Sequence, residues 1–230
     1  MVSINSKLKA IIGALIIIVP VVVLLFLHFF GQNRFHTLPI LGPRSLNENG
    51  DTIYHHIPDF TFINQLNQPY GSDSLKGLIH VADFIFTTCN GICPKMSSHF
   101  SQLQEKISKY SDVKLVSISV DPKRDTVQTL NQYAKKYKAN PHFWKFLTAE
   151  QSQIVNIATK GYFLPLDVSG KGKEFGITHS EMAVLVDKDL RIRNFYDLTN
   201  PNNIKTIEED IRILKLEYSN PQMITKKSKK

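Results

Sequence analysis

The chain has 230 residues, 42% of them apolar and 21% charged, which excludes a disordered protein and a polytopic membrane protein. Its formal charge of +8 sits at the ends: Lys7, Lys9 and Arg34 flank one apolar run, and Lys226, Lys227, Lys229 and Lys230 close the chain, leaving 21 basic against all 20 acidic residues between them. A nucleic-acid-binding domain keeps its positive charge on a folded face, so no nucleic-acid partner is expected, and two cysteines, Cys89 and Cys93, are too few for a disulfide scaffold.

Ala10 to Leu27 carries no charge, and Phe29 and Phe30 extend the apolar run past His28. At 1.5 Å per residue such a run spans roughly the 30 Å core of a bilayer, and a transmembrane helix tolerates the mid-run Pro20. A cleaved signal peptide would have a shorter apolar region, about 7–15 residues, followed by a small-residue cleavage site. Residues 10–30 are therefore predicted to be an uncleaved single-pass anchor. Lys7, Lys9 and the amino terminus outweigh Arg34, which places residues 1–9 in the cytoplasm and the rest of the chain on the periplasmic side of the cell membrane.

Residues 31–56, with Pro39, Gly42, Pro43 and Gly50, read as a tether of little periodicity. Residues 57–218 read as one domain. Asp59–Ile63 alternates like a strand and Asn67–Gly71 like its turn. Leu78–Phe86 is apolar enough for a buried strand, and Pro94–Tyr110 places Met96, Phe100, Leu103 and Ile107 on one helical face. Val113–Val120 is a second buried strand. A helix capped by Asp125 or Thr126 runs to Lys138, and Phe143–Leu147 is a third strand. Thr148-Ala149-Glu150-Gln151 has the form of a capping box before a helix to Thr159. Met182–Val186 and Ile192–Tyr196 form a hairpin, and a helix over 203–218 closes the domain. Residues 219–230 are a basic tail expected to be disordered. Strands alternating with helices imply parallel pairing covered on both faces, and the final hairpin makes the sheet mixed. The fold class is α/β, a thioredoxin-like mixed sheet flanked by helices, with one N-terminal transmembrane helix.

The cysteines follow the first long strand and open the first long helix. Pro94 suits a first helical turn and Asn90-Gly91 a tight bend, so the two sulfurs are expected to converge in a surface loop. There the free amides and dipole of the helix N-terminus favour thiolate. Convergent thiolates either cycle with a disulfide or hold a soft metal ion, and both readings stay open. Three intervening residues exceed the thioredoxin spacing, and a second Cys/His pair for structural zinc is absent. Two thiolates and one imidazole would suit copper: thiolate favours Cu(I), and imidazole helps to hold Cu(II). Of the eight histidines, His55 and His56 read as a solvated loop, His80 lies in a buried strand, and His142 follows Pro141 in a turn. His179 ends a Gly-rich loop just before the strand Met182–Val186, where a thioredoxin-like sheet brings its loop over the cysteines.

Phe86-Thr87-Thr88-Cys89-Asn90-Gly91-Ile92-Cys93-Pro94, then Ser119-Val120-Asp121-Pro122-Lys123-Arg124-Asp125-Thr126, then His179-Ser180, together resemble the SCO/SenC family over about residues 57–218. The family's members are membrane-anchored, thioredoxin-like copper proteins of cytochrome c oxidase assembly. The resemblance implies that Cys89, Cys93 and His179 bind one copper ion per chain. It also implies that the partner is subunit II of cytochrome c oxidase, or its apo form, and that the protein is a metallochaperone rather than a turnover enzyme. The alternative it allows is a thiol–disulfide reductase, with Cys89 and Cys93 as the redox pair, that keeps the oxidase's copper-ligand thiols reduced. The chain departs from the family at Asn90-Gly91, where Pro-Asp is common, and at Thr178, where Asp is frequent; neither departure removes a ligand.

Overall fold

The computed structural model describes residues 6–30, 37–167 and 178–220, in two units, Met1–His36 and Thr37–Lys230. The first holds one helix, α1 (Ser6–Phe30), with Pro20 inside it. Its described side chains run without a break only from Ile12 to Phe26, all exposed. Among the described residues no helix is long and apolar enough to cross a membrane.

The second unit begins with a short hairpin, β1 (Arg44–Leu46) and β2 (Thr52–Tyr54). There follow β3 (Thr61–Asn64), β4 (Pro69–Gly71), α2 (Ser72–Leu75), β5 (Ile79–Ile85), α3 (Cys93–Ile107), β6 (Val113–Ser119), α4 (Val127–Lys136) and β7 (Trp144–Thr148). Then come α5 (Gln151–Asn156), a π-helical turn (Ile157–Gly161), β8 (Leu166–Asp167), β9 (Thr178–His179), β10 (Met182–Val186), β11 (Ile192–Asp197) and α6 (Asn203–Ser219). The main sheet has seven strands in the order β11-β10-β5-β6-β7-β3-β4. β5, β6 and β7 are mutually parallel; β10, β11, β3 and β4 join antiparallel. β5 and β6 are buried at every residue, as expected of largely apolar central strands covered on both faces, although His80 and Asp83 of β5 and Lys114, Ser117 and Ser119 of β6 are buried with them. The mixed α/β, thioredoxin-like sheet flanked by helices is thus the observed architecture.

Two local expectations need correction. Thr148 does not cap α5: it ends β7, Glu150 holds the N-cap position, and no side chain caps that helix. The last residue of a central strand is held by its ladder, Ile63 pairing with Thr148, and cannot also swing out to a helix terminus. The helix also stops at Asn156 and continues as the π turn. Secondly, the stretch before residue 57 is more ordered than its weak periodicity suggested. Asn47 accepts the amides of Asn49 and Asp51 at 3.0 and 2.7 Å, and Gly50 takes a positive φ of 80°, which closes the β1–β2 hairpin. Leu41 donates to the carbonyl of Ile192 and Ile57 to that of Leu190, both at 2.8 Å, and Ile57 enters the core. By contrast, α4 is capped as expected, Thr126 accepting the Thr129 amide at 3.2 Å.

β5 carries two buried titratable groups of opposite sense. Burial pulls His80 down to about 3; its Nε2 lies 3.1 Å from the Tyr162 hydroxyl. Burial pushes Asp83 up to about 7, only partly offset by the Ser117 hydroxyl on the neighbouring strand. Asp83 holds its proton in the folded state through a window where the unfolded chain has lost it, so its contribution weakens as pH rises from about 4 to about 7. His80 refuses a proton the unfolded chain accepts, so its contribution weakens as pH falls from about 6.5 to about 3. The two slopes oppose each other where the windows overlap. Urea unfolding of the metal-free domain should therefore show a nearly flat stability between about pH 4.5 and 6.5. Asp83→Asn should make stability fall toward acid, and His80→Gln should make it fall toward neutrality, each by roughly 1 kcal/mol per pH unit. Identical slopes in all three proteins would show that neither group is perturbed.

Candidate metal centre

The site is built at the C-terminal end of β5. The chain leaves the sheet at Phe86, whose carbonyl accepts the Cys89 amide at 3.2 Å. It bends through Asn90 and Gly91 without a positive φ at either. It then enters α3 at Cys93, with Ile92 as N-cap and Pro94 in the first turn. The expected convergence of the sulfurs is met: the Cys89 thiol lies close enough to Cys93 to act on it, and no disulfide joins them. Their expected exposure is not. Cys89 is half-buried, but Cys93 is fully buried in the core. Burial pushes the Cys93 thiol well above the usual range, against the pull of a hydrogen bond from the Phe86 backbone. The helix N-terminus favours thiolate, but removing the sulfur from water opposes it more strongly. Cys93 is therefore a thiol until a metal ion or a disulfide takes its proton's place.

A carboxylate not singled out for this role braces the loop. Asp125, fully buried, accepts the backbone amide of Thr87 at 3.0 Å and the Thr87 hydroxyl, and the Ser119 hydroxyl reaches it at 2.5 Å. It thereby ties the residue entering the cysteine loop to the end of β6. Ser119 Oγ also accepts the Asp121 amide at 3.1 Å, and Asp121 pairs with Arg124 at 3.2 Å. The only sequence signal for this brace was the Asp-Pro-Lys-Arg-Asp-Thr run itself, which reads equally well as turn and cap.

His179 lies in β9, its backbone paired with Leu166 of β8; its side chain is outside the described residues. Three residues later β10 begins, antiparallel to β5, with Val184 opposite Ala82 and Val186 opposite His80. The start of β10 therefore lies at the same end of the sheet as the exit of β5 toward Cys89. Among the described residues no group of three metal-binding side chains forms; the described part of the set is the two sulfurs. Other histidines have structural partners. His55 Nε2 meets the Gly161 carbonyl at 2.8 Å and its ring lies 4.3 Å from that of Phe163. His99 Nδ1 meets the Leu198 carbonyl at 2.6 Å. The Gly-rich loop at 168–177 and the lysines beyond residue 220 fall outside the described residues.

A thioredoxin-like sheet with a Cys-x-x-x-Cys-Pro loop at the start of its first long helix defines a thiol-based redox or soft-metal protein. Residues 49–215 match the model of the SCO1/SenC family, and the chain belongs to that family. It is 33% identical over 164 residues to an SCO1 protein homolog of Bacillus subtilis, covering 70% of this chain and 84% of that one. Among solved structures it resembles BsSco, a member of the Sco family of cytochrome c oxidase assembly proteins in which a disulfide switch was identified, with 32% identity, a TM-score of 0.61 and coverage of 69% and 92%. It also resembles the ScoI protein of Arabidopsis thaliana with copper bound, with 27% identity, a TM-score of 0.57 and coverage of 67% and 97%.

Proposed function

We propose that the protein is a membrane-anchored copper carrier that delivers one copper ion per chain to the dinuclear copper site of cytochrome c oxidase subunit II during assembly. The observation that carries this reading is the meeting of the Cys89 and Cys93 thiols at the exit of β5. Two convergent sulfurs, one interior and one half-exposed, form a soft donor pair that fits Cu(I) and leaves one side open to a third ligand. His179 is that ligand, and its imidazole would also accommodate Cu(II). Membership of a family with a copper-bound structure and with a member described in oxidase assembly supports cargo and destination. Residues 10–30 hold the domain at the outer face of the cell membrane. Transfer proceeds by ligand exchange, an incoming thiolate of the acceptor replacing His179 while the two cysteines still hold the ion.

Copper binding must displace protons, since only thiolate and neutral imidazole bind. Copper affinity of the domain should therefore rise with pH, by about tenfold per unit for each thiol still protonated in the metal-free protein. Titration against a competing chelator at several pH values measures this, and an affinity flat from about pH 8 to about pH 5 would exclude the ligand set.

The two neighbouring thiols, not joined as a disulfide, also favour a second reading, a thiol–disulfide reductase for the acceptor's cysteines. The disulfide switch of BsSco supports it.

A further inference from the structure

The end of the domain opposite the cysteines holds a cavity of ≈ 540 Å³ whose walls include Tyr110, Asp112, Lys188, Arg212, Lys215 and Tyr218. Asp112 immediately precedes β6, and the Lys188 carbonyl accepts the Gly77 amide at 2.9 Å just before β5. The cavity thus sits at the N-terminal ends of the two central strands. Cys89 follows the C-terminal end of β5, roughly 20 Å away along a strand of this length.

Three cations and one carboxylate line the cavity. Asp112 is shared between Lys188, at 2.8 Å, and Lys215. Lys215 lies 4.9 Å from the ring centre of Tyr110 and Lys188 5.8 Å from that of Tyr218. Beside the cavity, Lys106 and Lys109 join the lining Arg212 on the single carboxylate of Glu208, which adds two cations against one anion. The exposed Asp189 is already engaged by Arg191 and the Tyr218 hydroxyl. The face is therefore basic with an aromatic floor, the composition that meets a phosphate headgroup at an interface.

Both ends of the chain leave the domain at this face. Leu38 donates to Glu217 at 2.7 Å, and Glu217 lies between the cavity-lining Leu216 and Tyr218. Only seven residues separate Leu38 from Phe30, a reach of at most about 28 Å over eight residue steps. At the other end Ser219 lines the cavity, and the chain runs on to Lys226, Lys227, Lys229 and Lys230.

We propose that this face docks on the anionic phosphate headgroups of the membrane, one headgroup entering the cavity. The inference rests on the anchored reading of residues 10–30. Docking here turns the cysteine loop away from the bilayer, toward a partner approaching from the aqueous side. Each basic residue held near an anionic surface strengthens partitioning by about fivefold.

The test uses fragment 37–220, which retains the whole buried core and lacks both anchor and tail lysines. It should sediment with phosphatidylcholine vesicles containing phosphatidylglycerol and not with phosphatidylcholine alone, and added salt should weaken the binding. Arg212→Gln with Lys215→Gln should weaken it by roughly twenty- to thirtyfold. Lys95→Gln with Lys123→Gln, an equal charge loss near the cysteine loop, should leave it unchanged. Circular dichroism confirms that each variant is folded. No preference for anionic vesicles, or equal losses from both pairs, would overturn the proposal. Titration with inorganic phosphate separates a free-anion site: saturable phosphate binding that needs Arg212 and Lys215, without vesicle binding, would also overturn it. The anchor is tested apart, by whether the full chain resists alkaline extraction from membranes, so either reading can fail alone.

Discussion

The domain loaded with copper should carry one ion per chain, and Cys89→Ser, Cys93→Ser and His179→Ala should each lower copper affinity by more than roughly a hundredfold. Disturbing only the outer partners of a metal ligand already lowers affinity by about 10–100-fold, so losing a ligand should exceed that. Cys93 needs a control because it is part of the core. A serine hydroxyl there keeps a polar atom for the Phe86 backbone but removes the sulfur's packing, so a drop in thermal stability is expected with the loss of copper. Cys89 is half-buried, and its serine variant should lose copper with little change in melting temperature. His179→Ala separates the two functional readings. Under the carrier reading it abolishes tight copper binding while thiol–disulfide exchange with a small-molecule disulfide stays within a few-fold of wild type. If all three variants retain tight copper binding, the site lies elsewhere. If His179→Ala alone retains it, the sulfurs hold the ion with a different third ligand.

What could be read from the amino-acid sequence was what burial imposes directly. Leu78–Phe86 and Val113–Val120 are predominantly apolar, and β5 and β6 lie within those limits and are buried at every residue. Met182–Val186 was located to the residue, since a buried strand bounded by a turn leaves little freedom. Two cysteines around an Asn-Gly bend, before a proline that opens a helix, indicated that their sulfurs would meet. What stayed hidden depends on partners distant in the chain. Nothing near Thr148 reveals that Ile63 pairs with it and denies it to the following helix. Asp125 looked like a cap; its work on Thr87 becomes visible only once β5 and β6 lie side by side. The burial of Cys93 follows from α3 packing on α6 and on β6, which loop composition could not foretell. The backbone pairing of His179 with Leu166 depends on a two-residue strand whose short pattern carries no periodic signal.

Arg193→Met should destabilise the domain by about 3–5 kcal/mol, read as a fall in urea midpoint without a change in slope. Arg193 is buried on β11, and all three nitrogens of its guanidinium make hydrogen bonds. Nη1 meets Asp187 at 3.0 Å, Nη2 meets Glu217 at 2.7 Å and the Leu38 carbonyl at 2.6 Å, and Nε meets the Pro39 carbonyl at 2.9 Å. The two carboxylates are not equally exposed to its loss. Asp187 keeps Arg191 at 3.0 Å, whereas Glu217, also buried, keeps among the described residues the Leu38 amide and no cation. The destabilisation should therefore come mainly from Glu217 left charged without a cation, and Arg193→Met combined with Glu217→Gln should recover much of it. Arg193→Lys should fall between, since an ammonium keeps the charge but cannot reach both carboxylates and both carbonyls at once. Hydrogen exchange tests the further consequence. Leu38 and Leu41 amides should exchange faster in Arg193→Met than amides of β5, because the guanidinium holds the segment entering the domain while β5 is secured by its own ladder. Equal acceleration across the domain would mean that Arg193 stabilises the core as a whole. Selective acceleration would mean that one side chain fixes the segment entering the domain against α6.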